Sequence, residues 1–125
     1  LLARTEVDRW AEWSKQNIAL GFTTPVFWRV VRTPAAERDP RAIAAAVTAL
    51  EQKLAIAEAR LAGSRYLVGD TFTLADIQFG HVLYRYFAID ITRRPLPHLA
   101  AYYARLTARP AFRQHVMVSY DELKV

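Results

Sequence analysis

The chain has 125 residues, carries 17 Lys plus Arg against 12 Asp plus Glu, and contains no Cys. Its 53% hydrophobic and 23% charged residues exclude an intrinsically disordered chain and fit a single globular domain over residues 1–125. Without cysteine there is no disulfide framework, no cysteine-based zinc site and no thiol nucleophile.

Of the 17 basic residues 14 are Arg, scattered along the chain. Nucleic-acid binding needs a basic face interleaved with aromatics, so no nucleic-acid partner is expected. The most apolar stretch, Leu74 to Ile91, includes Asp76, Gln78, His81, Arg85 and Asp90, which predicts a buried helix and no membrane span. The opening residues show no basic, apolar, small-residue leader pattern, so secretion is not expected. It starts Leu1-Leu2-Ala3-Arg4, and its one methionine is Met117, so the expectation is a piece of a longer polypeptide.

Every strong pattern is helical. Val7, Trp10, Trp13, Ile18 and Leu20 recur among charged residues and predict a helix from Leu2 to about Gly21, with the glycine as its stop. A shorter segment, Pro25 to Arg32, reads as a second helix, although its Val, Phe and Trp content also suits a strand. Thr33-Pro34 breaks it, and the polar run to Arg38 predicts a loop. Asp39-Pro40 then opens the clearest helix, since Asp caps free amides and Pro suits the first helical position. Ile43, Val47, Leu50, Leu54, Ala57 and Leu61 lay one apolar stripe along it up to about Gly63. Under three heptads long, that stripe predicts packing inside the domain rather than a coiled coil.

The next helix starts at a specific signal. Thr73 stands where an N-cap hydroxyl accepts a backbone hydrogen bond, and Asp76, three residues on, can return a carboxylate to the cap's own amide. Phe72 and Ile77 are spaced as a hydrophobic staple across the same start. These four read as a folding device, not a ligand site. Apolar and aromatic residues then cover nearly every face from Ile77 to Ile89, which predicts a helix surrounded by others. Gly80 in its interior disfavours helix by about 1 kcal/mol relative to Ala, so it predicts a neighbour's backbone close by. Pro97 opens a further helix with Leu99, Tyr102, Tyr103 and Leu106 on its apolar side, and Arg109-Pro110 ends it. Phe112 to Val116 predicts a last short turn, with an irregular tail from Met117.

Chemistry is scarce. The four glycines are too dispersed for a phosphate loop. His81, His98 and His115 lack metal-ligand spacing, and Ser14, Ser64 and Ser119 lack a nucleophile elbow. Glu51 with Glu58, and Asp8 with Glu12, can be drawn as carboxylate pairs, but both read as solvated. Trp10, Trp13, Phe22, Phe27 and Trp28 form an aromatic-rich opening that is either core or the lining of an apolar cleft, with Ser14, Gln16 and Asn17 as polar neighbours.

The string Tyr66-Leu67-Val68-Gly69-Asp70-Thr71-Phe72-Thr73-Leu74-Ala75-Asp76-Ile77 resembles the signature of the C-terminal all-helical domain of cytosolic glutathione transferases. The Trp-rich opening VDRWAEW and the segment PLPHLAAYYARLTARPAFRQHV match the same pattern, so the resemblance covers the whole chain. It implies an all-α helical bundle of bacterial type, cytoplasmic, and homodimeric in the full-length protein. It further implies a thioredoxin-like N-terminal domain that binds glutathione as co-substrate and stabilises its thiolate, with no metal. This chain would then hold no catalytic residue and be inactive alone. It would supply the pocket for a hydrophobic electrophile in detoxification, with substrate contacts on Trp10, Trp13, Ser14 and Asn17 and more peripheral ones on Phe22 and Tyr120. The alternative is a non-catalytic protein-interaction module, for which Arg29, Arg32, Arg93 and Arg94 are the candidate contacts.

Overall fold

Residues 2–125 are described by a computed structural model. The first helical path runs unbroken through five pieces: α1 (Leu2–Trp13), a π-helical turn (Ser14–Ala19), α2 (Leu20–Phe22), a second π-helical turn (Thr23–Trp28) and α3 (Arg29–Val31). Trp13, Ala19, Phe22 and Trp28, at the joins, all keep right-handed helical backbone. Gly21 therefore does not end the helix, and the two segments expected there are one. Burial decides this: Ile18, Phe22, Val26 and Phe27 are at most 1% exposed. Burying one such side chain is worth about 1.5–3 kcal/mol, more than the cost of one glycine. Pro25, which lacks an amide donor, sits inside the second wide turn.

A short 3-10 turn at Ala35–Glu37 leads to α4 (Pro40–Ala62), whose cap is the one expected: Asp39 Oδ1 accepts from the Arg41 and Ala42 amides, both at 3.1 Å. Then follow α5 (Leu74–Ala88), α6 (Pro97–Thr107) and α7 (Pro110–His115). The fold is all-α. Among the described residues the one β-type contact is an isolated bridge between Tyr66 and Gly69. Gly69 has φ +72°, a left-handed conformation that favours glycine at this turn.

The first helical path lies along α5 and α4, and α6 packs on α4 and α5. Val47, Leu50, Leu54, Ala57 and Leu61 of the α4 stripe are buried, while Ile43 is half-buried. The interior of α5 departs from expectation in two ways. It is not enclosed all round, because Leu74 (51%) and Ile77 (41%) are exposed. Gly80 faces side chains rather than backbone: a Cβ there would lie 2.7 Å from Phe112 and 2.9 Å from Leu106. The tail is also more ordered than expected, with a 3-10 turn at Asp121–Leu123 and Tyr120 buried against the core.

Candidate functional site

The aromatic opening sits on the bundle-facing side of the first helix. Trp10 and Trp13 are half-buried, with ring centroids 5.1 Å apart edge-to-face, and Trp13 in turn meets Phe79 of α5 at 5.8 Å. The Arg60 guanidinium of α4 lies 5.9 Å from the Trp10 ring. The Trp10 indole N–H is buried without a hydrogen-bond acceptor among the described residues, a state that costs about 1–3 kcal/mol.

Ser14 is fully buried and its hydroxyl donates to the Trp10 carbonyl at 2.9 Å. Asn17 is half-buried and its amide donates to the Trp13 carbonyl at 3.3 Å. Both bonds fall where the helix changes from i+4 to i+5 pairing, a change that leaves a carbonyl short of its usual amide. Ser14 and Asn17 supply side-chain donors at that place. The four residues named from the sequence are thus neighbours, but Ser14 lies beneath the surface. Phe22 is 1% exposed and Trp28 47%, so the aromatic set divides between core and surface.

Further along, Tyr120 from the tail packs edge-on against Phe27 at 5.2 Å and Tyr84 at 6.1 Å. The Arg85 guanidinium lies 4.8 Å from the Phe27 ring and 5.5 Å from the Tyr120 ring. Burial first, and then Tyr84, raise the Tyr120 phenol above its ordinary value, against the opposing charges of Lys124 and Arg85. Burial likewise pushes Tyr103 up to about 12. Such phenols stay protonated near neutrality and can donate hydrogen bonds without acting as bases. No group of three or more His, Cys, Asp or Glu able to hold a metal occurs among the described residues.

The capping signal is built around a fully buried carboxylate. Asp76 Oδ2 accepts from the Thr73 amide at 2.9 Å. Oδ1 accepts from the Leu67 amide at 3.1 Å and the Tyr102 hydroxyl at 2.7 Å. The hydroxyl half of the box is looser: Thr73 Oγ1 stands at the Asp76 amide but forms no hydrogen bond of regular geometry. Phe72 meets Tyr66 edge-on at 6.0 Å and lies 3.9 Å from the Arg109 guanidinium.

Two carboxylates that read as solvated have specific partners. Glu58 takes the His98 amide at 2.8 Å and the Leu99 amide at 2.9 Å, and Glu51 takes the Arg94 amide. No local spacing signals either, since the partners lie 40 or more residues away. An open groove of about 680 Å³ between the start of α4 and segment 90–94 is lined by Ile43, Val47 and Arg94, and by none of Trp10, Trp13, Ser14 or Asn17.

The family described as "Glutathione S-transferase, C-terminal domain" matches residues 21–110. Over 115 residues the chain is 34% identical to Glutathione S-transferase GstB of Escherichia coli (strain K12), a match that covers 92% of this chain and 55% of that protein. The fold superimposes on the theta class glutathione S-transferase of Xanthomonas axonopodis pv. citri, solved with glutathione bound, with a TM-score of 0.88 and 46% identity. That alignment covers 94% of this chain and 62% of the other. A weaker similarity, 27% over 117 residues, reaches Elongation factor 1-gamma 1 of Oryza sativa subsp. japonica, covering 91% of this chain and 27% of that protein. The chain therefore spans little more than half the length of the two transferases. Its sequence match and its helical arrangement agree on one assignment: the chain belongs to the glutathione S-transferase family, as the C-terminal helical domain.

Proposed function

We propose that this domain forms the wall of an electrophile pocket in an enzyme that conjugates glutathione to apolar electrophiles. In this reading a thioredoxin-like N-terminal half binds glutathione and lowers the pKa of its thiol, and the helical domain holds the electrophile within reach of the thiolate. The observation that carries the reading is the half-buried Trp10–Trp13 pair, which combines apolar area with an indole N–H lacking an acceptor. Trp10, Trp13 and Asn17 are assigned to the pocket wall, and Ser14 positions the Trp10 carbonyl from beneath.

The exposed Leu74 and Ile77 on α5 are assigned to the contact with the N-terminal half. Phe72 with Ile77 sets the angle at which the chain joins α5. The full-length protein is proposed to be a cytoplasmic homodimer acting in detoxification. The interaction-module alternative is not favoured, because the relatives at 34% and 46% identity are transferases and the elongation factor stands at 27%.

The test is tryptophan fluorescence of the full-length protein, with Trp28 replaced by Phe to remove background, during titration with S-hexylglutathione. A saturable change that Trp10→Phe reduces is the expected result. An unchanged spectrum in a protein that still binds glutathione would overturn the pocket assignment. In steady-state kinetics, Asn17→Ala is expected to raise KM for the electrophile and leave KM for glutathione unaltered.

A further inference from the structure

We propose that Tyr84 and Tyr120 form an oxidative cross-linking site, where a haem peroxidase working on hydrogen peroxide joins their rings by a carbon–carbon bond and fastens the tail to α5. The two rings meet edge to face, with centroids 6.1 Å apart and planes at 70°. The ortho carbons at which phenoxyl radicals couple lie on such an edge. Tyr84 is half-buried and Tyr120 is 9% exposed. Neither hydroxyl makes a hydrogen bond among the described residues, and neither is sealed from solvent as the Tyr86 hydroxyl is. Tyr103 brings a third phenol close to both. Its ring is committed elsewhere, to a stack on Phe87 at 4.8 Å and an edge contact with Phe112 at 6.4 Å.

The tail is held in a way that lets this bond form. Among the described residues, the hydrogen bonds and the ion pair of residues 118–125 all stay within residues 116–124. What holds the segment on the bundle is packing: Tyr120 rests on Phe27 and Tyr84 beside the Arg85 guanidinium, and Leu123 is partly buried against the core. Tyr120 can therefore turn towards Tyr84 without breaking a hydrogen bond to the bundle. The core holds a similar pair, Tyr66 and Tyr102, with centroids 6.4 Å apart. There Tyr102 is fully buried and its hydroxyl donates to Asp76 at 2.7 Å. Close packing denies that pair both the oxidant and the rotation that coupling needs.

Each phenol gives one electron to the peroxidase and its proton to water. The two phenoxyl radicals couple at their ortho carbons, and the hydrogen displaced from each ring returns to that ring's oxygen. Two ring C–H bonds break and one C–C bond forms. The two electrons and two protons released reduce one hydrogen peroxide to two waters. These 125 residues contain no Cys, so no thiol among them repairs a phenoxyl radical before it couples.

The test treats the full-length protein with a haem peroxidase and hydrogen peroxide in the absence of glutathione, then digests the monomer band with trypsin. Mass spectrometry is expected to find the peptides 66–85 and 114–124 joined, two hydrogens lighter than their sum, with dityrosine fluorescence. Tyr84→Phe and Tyr120→Phe keep both rings, and each is expected to lose the joined peptide. Tyr103→Phe is expected to retain it. In the cross-linked protein, amide exchange over residues 118–123 is expected to slow. Dityrosine only between two chains, dityrosine at other tyrosines, a joined peptide that survives Tyr84→Phe, no dityrosine at all, or unchanged exchange in the tail would each overturn the proposal. No step involves the electrophile pocket, so the two readings fail separately.

Discussion

Helices α5 and α6 both start with a carboxylate on their free amides, and they obtain it in opposite ways. At α5 the carboxylate is Asp76, three residues into the helix, fully buried and surrounded by three donors. At α6 it is Glu58, half-buried on another helix 40 residues earlier, gripping the His98 and Leu99 amides. Both satisfy amides that a helix start leaves unpaired. The first also ties the loop at Leu67 and the α6 residue Tyr102 to one atom, so it organises tertiary structure as well as a helix end. The second locks α6 to α4 at the surface, where water can substitute for either partner.

That contrast predicts a graded series. Asp76→Ala strands two backbone amides and a tyrosine hydroxyl in a dry interior and should cost about 3–5 kcal/mol, seen as a large fall in the urea midpoint or as failure to fold. Tyr102→Phe removes one of the three donors and keeps the ring that stacks on Phe79 at 5.8 Å. It should cost about 1.5–3 kcal/mol. Glu58→Ala should cost about 1 kcal/mol, with hydrogen exchange quickened first at His98 and Leu99. A Glu58 variant as damaging as the Asp76 variant would break the contrast.

The smallest effect at neutral pH appears only in alkali. Burial, then the Asp76 carboxylate, hold the Tyr102 phenol well above its ordinary value of 10.0. Burial with Glu51, opposed by Arg93, pushes Tyr86 up to about 12. Because the folded pKa exceeds the unfolded one, this contribution is complete below pH 10 and is lost as pH rises through about 12. Thermal scans at pH 8, 10 and 11.5 should therefore show Tm level between the first two and falling at the third, and Tyr102→Phe should shrink that fall.

What could be read from the sequence follows the reach of each interaction. Asp39-Pro40 and Thr73 with Asp76 were legible because each cap lies within a few residues of its amides. The Glu58 and Glu51 ties were not, because nothing local distinguishes them from solvated acids on a helix face. Gly21 misled because a propensity of about 1 kcal/mol was set against flanking side chains whose burial only the assembled bundle reveals. At the candidate site, Trp10 and Trp13 were visible as a cluster, but the depth of Ser14 was not. The π-helical turn beginning there takes more residues per turn than a 3.6-residue template allows, which changes the side chain that faces inward. The groove beside α4 escaped notice because its residues come from two segments about 40 positions apart.

The arginines bring a last consequence. Arg38, Arg60, Arg93, Arg105 and Arg113 donate to main-chain carbonyls. The ion pairs among the described residues, Arg4–Asp8, Arg9–Glu6 and Lys124–Asp121, are surface contacts within one turn. A carbonyl has no proton to gain in mild acid, and its bond to a guanidinium is screened less by ions than a pair of opposite charges in water. The loops and helix ends that these arginines tie down are therefore insulated from ionic strength, and the positive charge is spent on main-chain carbonyls more than on acidic side chains.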